Sequence, residues 1–176
     1  MSRIADVADR TLTWSQPAAM KPVFALRAAN EDAPVGSLAF RNSWGTQATA
    51  ESGDDAWTFK RVGFFQPRVT VRREGSDKDI ATFHNNTWSG GGSLVVEGGP
   101  TFRASTNLWQ TKYEIATPAG DPLVRLHYGG MFKLHADVEV LPAARALPDL
   151  ALIVLLSWYL AVMLHRDASA ASAAIV

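Results

Sequence analysis

Leu150-Ala151-Leu152-Ile153-Val154-Leu155-Leu156-Ser157-Trp158-Tyr159-Leu160-Ala161-Val162-Met163-Leu164 is a run of fifteen residues without a charge. Pro148 and Asp149 precede it and suit the first turn of a helix, while His165 and Arg166 follow where cations favour the negative end. The pattern predicts a helix over residues 148–166. Its apolar residues cover the whole circumference, and a helix of that kind belongs either in a protein core or in a membrane. Fifteen residues at the helical rise span about 22 Å, short of a hydrocarbon layer of about 30 Å. Arg145 before the run and Arg166 after it give no orientation signal. The length favours a buried central helix; a single membrane span, making the chain a tail-anchored protein, is the alternative.

Upstream of this run the pattern changes. From Thr11 to Leu141 apolar and polar residues alternate and are broken every few positions by Gly, Pro, Asn or Asp, the strand-and-turn signal of an all-β domain. About twelve strands are expected, near 11–15, 21–28, 36–42, 45–51, 56–62, 68–74, 79–84, 92–97, 101–106, 112–117, 122–127 and 132–140. In the last of these Phe132, Leu134, Ala136, Val138 and Val140 would face one way and Lys133, His135, Asp137 and Glu139 the other. So many antiparallel strands with one apolar face curl into a barrel or split into a sandwich, and a large barrel needs an apolar filling. The expected fold is mainly β, a closed antiparallel barrel around the C-terminal helix. Residues 1–10 would be an N-terminal arm, 11–166 the single domain, and 167–176 a flexible tail.

Composition bounds the function. The chain has 176 residues, 17 Lys and Arg balanced by 17 Asp and Glu, four His and no Cys. A domain of this length hides roughly 70% of its unfolded surface, so packing alone can hold it. The missing cysteines exclude disulfides, thiolate metal sites and a cysteine nucleophile. Charge neutrality and a pI near 6.9 argue against a nucleic-acid binder. No apolar segment marks the first nine residues as a secretory signal, which reads as a cytoplasmic protein.

One local constellation stands out. Lys60-Arg61-Val62-Gly63-Phe64-Phe65-Gln66-Pro67-Arg68 joins two strong strands. Pairing Phe59 with Val71 is the register that keeps Trp57, Phe59, Val69 and Val71 on one inner face. It sets Lys60, Arg68 and Arg72 on the outer face beside Phe64 and Phe65 at the tip. Aromatic residues flanked by cations suit an anionic lipid surface, so Lys60, Arg61, Phe64, Phe65, Arg68 and Arg72 form the candidate lipid-binding set. The same residues also read as a barrel plug beside an ordinary solvated face.

Other groups carry less. His84, His127 and His135 fall on separate strands without metal-ligand spacing, and the acidic turns lack a calcium-loop array. Gly90-Gly91-Gly92 does not form a phosphate-cradling motif, and Asn85-Asn86-Thr87, formally a glycosylation sequon, reads as a turn. No catalytic motif, metal site or cofactor site is found, which points to a binding protein rather than an enzyme.

The meander and its apolar final helix resemble the tubby-C-terminal-like superfamily, which includes tubby proteins, phospholipid scramblases and LURP-one-related proteins. Trp57-Thr58-Phe59-Lys60-Arg61-Val62-Gly63-Phe64-Phe65, Gly91-Gly92-Ser93-Leu94, Asn107-Leu108-Trp109, Leu147-Pro148-Asp149 and Ser157-Trp158-Tyr159-Leu160 are similar to features of its bacterial members. The resemblance implies a twelve-stranded barrel around a hydrophobic helix, and a binding role with phospholipid or a membrane surface as partner. No phosphoinositide or calcium motif of those families maps onto particular residues here. A structural or protein-interaction barrel without a lipid role is the competing reading.

Overall fold

The computed structural model describes residues 1–86, 90–130 and 132–174. Twelve strands run in chain order: β1 (Leu12–Ser15), β2 (Val23–Ala28), β3 (Gly36–Phe40), β4 (Ala48–Ser52), β5 (Asp55–Val62), β6 (Arg68–Arg73), β7 (Asp79–Asn85), β8 (Gly92–Val96), β9 (Thr101–Thr106), β10 (Lys112–Ala116), β11 (Pro122–Gly129) and β12 (His135–Val140). Each pairs antiparallel with its sequence neighbours, and β1 closes on β12. The result is an up-and-down barrel without free edges.

Closure sets the need for a filling. Eight strands make a bore that side chains alone can fill, and the diameter grows with strand number. Twelve leave room for a helix, which with its side chains is about 10–12 Å across. Helix α1 (Leu150–Ala173) occupies that bore, with every residue from Leu152 to Met163 buried. Trp158 stacks on Trp14 of β1 at 5.8 Å, and Tyr159 on Phe40 of β3 at 5.4 Å. Ser157, the polar interruption, donates to the Val154 carbonyl at 2.8 Å, so its hydroxyl is satisfied inside the helix. The helix is long and apolar enough to cross a membrane, but its circumference is covered by the barrel wall.

Phe59 lies opposite Val71, the register that the alternation predicts, and Trp57, Phe59, Val69 and Val71 are buried. Four expectations change. Residues 1–10 are not a free arm: a 3-10 turn at Ile4–Val7 buries Ile4 and Val7 against the core, and the Ile4 amide donates to Ser52 Oγ. The last strand begins at His135 rather than Phe132, because the chain turns through Gly130 at φ 114° and leaves Phe132 84% exposed. The fourth begins at Ala48 rather than Gly45, since Asn42 Oδ1 accepts the amides of Trp44 and Gly45 and curls the chain. Finally, α1 starts at Leu150 and runs past Arg166 to Ala173, through an Ala- and Ser-rich stretch in which no Gly or Pro stops it. Residues 175–176 of the expected tail, and Thr87 of the sequon, lie outside the described residues.

Candidate functional site

In an up-and-down barrel alternate connections emerge at the same end. The turns after β2, β4, β6, β8 and β10 share one end with the chain from Leu141 to Asp149. These segments carry Glu31, Asp32, Asp54, Glu74, Asp77, Glu97, Asp121 and Asp149 against Lys78 and Arg145. The opposite end is built from residues 16–22, 41–47, 63–67, 86–91, 107–111 and 130–134, which contain no Asp or Glu. The neutral total therefore conceals a molecule with an acidic end and an end whose loops carry no carboxylate, where Asp167 of the emerging helix is paired with Arg61.

The end with carboxylate-free loops is also the apolar one. Met20, Trp44, Phe64, Phe65, Leu108, Trp109 and Phe132 stand at its loop tips, each at least 81% exposed. All five loops that are wholly or largely described present at least one of them. The sixth carries Trp88 in sequence, outside the described residues. Phe64 and Phe65 are held edge-to-face at 5.2 Å, so the pair forms one wedge. Gly63 makes that wedge possible: it sits at φ 87°, and a Cβ there would lie 2.7 Å from the Gln66 carbonyl oxygen. Met20 and Gln110 adopt left-handed conformations without being glycine, at φ 72° and 51°. Such backbone is costly for residues with a Cβ and is common where loops are held for a function.

Cations surround these tips. Lys21, Arg41, Lys60 and Arg68 are exposed and make no ion pair among the described residues. Lys133, on the same rim, is drawn toward the Pro17 carbonyl at 3.5 Å. All four histidines lie at this end as well: exposed His84, His127 and His135 near the strand ends, and His165 where α1 leaves the bore. The strand histidines point outward from separate strands and do not converge. Burial holds the His165 imidazole below its usual range.

The candidate residues read from sequence divide three ways. Lys60, Phe64, Phe65 and Arg68 come together at the loop end. Arg61 turns to the other face, opposite Val69, and grips Asp167 of α1 with two hydrogen bonds of 2.6 and 2.9 Å. Those hydrogen bonds, opposed by partial burial, raise the Arg61 pKa above its ordinary value. Arg72 lies toward the acidic end, its Nε 2.5 Å from Asp79 Oδ1 and its Nη1 3.9 Å from Asp77. Met20, Trp44, Leu108, Trp109 and Phe132, with Lys21 and Arg41, are additions that sequence reading missed. Their signal was present as parity: every second turn of the meander carries a large apolar residue, and the turns between carry none but Val35, which is buried.

No family model, curated protein or solved structure matches the chain.

Proposed function

We propose that the protein is a non-catalytic binding barrel that docks its loop end on an anionic bilayer. The observation that supports this is the coincidence, at one end only among the described residues, of exposed apolar tips on five loops, unpaired cations among them and loops without a carboxylate, the one acidic residue of the emerging helix there, Asp167, being paired with Arg61. Strands lie about 4.8 Å apart, so tips on alternate connections recur roughly every 10 Å around the rim. Separated tips suit a fluid surface that closes around each one; a protein partner would favour a continuous apolar patch. Each large side chain is worth about 1.5–3 kcal/mol when fully withdrawn from water, and each basic residue near an anionic surface about 1 kcal/mol. Several partly inserted tips and four cations would thus hold a peripheral protein reversibly on the anionic cytoplasmic leaflet, with no spanning segment. Membership of the tubby-C-terminal-like superfamily is part of this proposal and agrees with a lipid partner. The acidic end would face away, repelled by the same surface.

Co-sedimentation tests the reading, using phosphatidylcholine vesicles with and without phosphatidylglycerol at low and high salt. Binding to the anionic vesicles that weakens with salt is expected. No binding, or equal binding to both vesicle types, would overturn the proposal and leave the protein-interaction barrel as the better account.

A further inference from the structure

Where α1 leaves the bore it does not run free. The loop at residues 41–47 is fastened to it: Tyr159 Oη donates to the Thr46 carbonyl at 2.5 Å and Arg166 Nη1 to the Gly45 carbonyl at 3.1 Å. Trp44, on that fastened loop, is nonetheless 97% exposed. Between the loop and the emerging helix lies a cavity of about 430 Å³, walled by Trp44 on one side and by Met163, Arg166, Ala170 and Ala173 on the other. Those helix positions recur every three or four residues, so they share one face. From Met163 to Ala173 that face extends about 15 Å, which matches the depth of one leaflet of a hydrocarbon layer about 30 Å thick.

The two cations at the inner end differ. Arg61 is neutralised by Asp167. Arg166 has no carboxylate partner among the described residues; its guanidinium lies over the Phe40 ring at 3.9 Å and gives one donor to Gly45. A guanidinium has five N–H donors in a planar fork, so most remain for a planar anion. One uncompensated positive charge matches a monoanion, and the neighbouring Asp167 carboxylate disfavours a second negative charge. The volume is that of a small-molecule site and holds one chain rather than the pair of a diacyl lipid.

We propose that this slot binds a long-chain fatty acid, its carboxylate on Arg166 and its chain laid between the Trp44 indole and the Ala170–Ala173 face. The inference rests on the bilayer-docking reading for the source of the ligand, since the slot opens at the end that would meet the membrane. Its test is separate. The protein is titrated calorimetrically with dodecanoic acid below its micelle concentration, and with dodecanol.

One saturable site is expected, with dodecanol weaker by about tenfold or more, a difference of about 1.4 kcal/mol. Ala170→Trp places an indole in the slot from an exposed position. It should reduce dodecanoate affinity by at least about tenfold while the thermal unfolding midpoint stays as in the parent. Ala173→Trp serves the same purpose should the first variant fold poorly. Absence of saturable binding, equal affinity for dodecanol, or unchanged affinity in the Trp variants overturns the slot. Vesicle binding can fail with dodecanoate binding intact, and that result would sink the docking proposal alone.

Discussion

Gly36 of β3 and Leu155 of α1 provide a direct test of the threaded barrel. A methyl group on Gly36 would lie 3.2 Å from Leu155 Cδ2, with Glu51 O at 3.4 Å and Ile4 Cδ1 at 3.5 Å. Gly36 does not have a positive φ, so alanine is conformationally allowed and gains about 0.5–1 kcal/mol from lower unfolded-state entropy. The tight contact opposes this, because overpacking a core costs about 1–3 kcal/mol. Gly36→Ala alone should therefore range from neutral to about 2 kcal/mol destabilising.

Leu155 is 0% exposed, and its truncation to Ala should cost about 2.7–5 kcal/mol through lost transfer energy and a cavity. In the double variant the methyl added at Gly36 faces that cavity, so its strain disappears and it fills part of the void. The two changes should couple favourably by about 1–3 kcal/mol. Urea unfolding followed by tryptophan fluorescence measures all four corners of the cycle, with unchanged m-values as the check on a common unfolded state. Additivity within about 0.3–0.5 kcal/mol would refute the apposition of helix and β3, as would a Leu155→Ala cost typical of an exposed site.

Phe64→Ala with Phe65→Ala removes rings that are 92% and 93% exposed, so stability should move by no more than about 0.5 kcal/mol. Half-insertion of both rings would be worth about 1.5–3 kcal/mol, so affinity for phosphatidylglycerol vesicles should fall roughly 10- to 150-fold; an unchanged affinity removes the wedge from the docking surface. Acidification should tighten docking, because the His165 imidazole, held by burial below its usual range, gains positive charge where α1 emerges at the loop end as pH falls. Vesicle titrations from about pH 7.5 to about pH 5.5 should show this on anionic but not on neutral vesicles, and a flat profile would count against the orientation. Alkaline stability provides a fourth prediction. Burial raises the phenol pKa of Tyr113, Tyr128 and Tyr159, the three tyrosines of the chain. The unfolded chain releases these protons first, near pH 10, so stability is complete below about pH 10 and falls above it, by up to about 4 kcal/mol per pH unit for three protons. Urea midpoints that stay level across that range would show that the phenols are not held neutral by the core.

Much of the architecture was legible because it rests on local rules. Alternation over residues 11–141 marks strands whichever barrel they enter, and an apolar circumference marks a helix that water does not touch. The strand-end errors have equally local causes: the Asn42 turn delays β4, and Gly130 turns Phe132 outward. The candidate site was legible only where it was contiguous. Phe64 and Phe65 are adjacent and flanked by cations, so they stand out; Trp44, Trp109 and Phe132 are single residues in unremarkable turns. Arg61 and Arg72 looked equivalent to Lys60 and Arg68, since alternation assigns a face but not a partner. Asp167 lies 106 residues from Arg61, and only the helix path brings it near.

By itself the sequence determined the period-two shell, the all-apolar helix, the absence of cysteine chemistry and the hairpin register around Phe59 and Val71. These follow from side-chain periodicity and residue chemistry, which need no knowledge of distant contacts. The tertiary structure alone decided that the helix lies inside the barrel, that residues 4–7 close one end, and that apolar tips and cations gather at the other. Closure is the physical reason: once β1 pairs with β12, loops dozens of residues apart become neighbours on one rim, and charges that cancel along the chain separate in space.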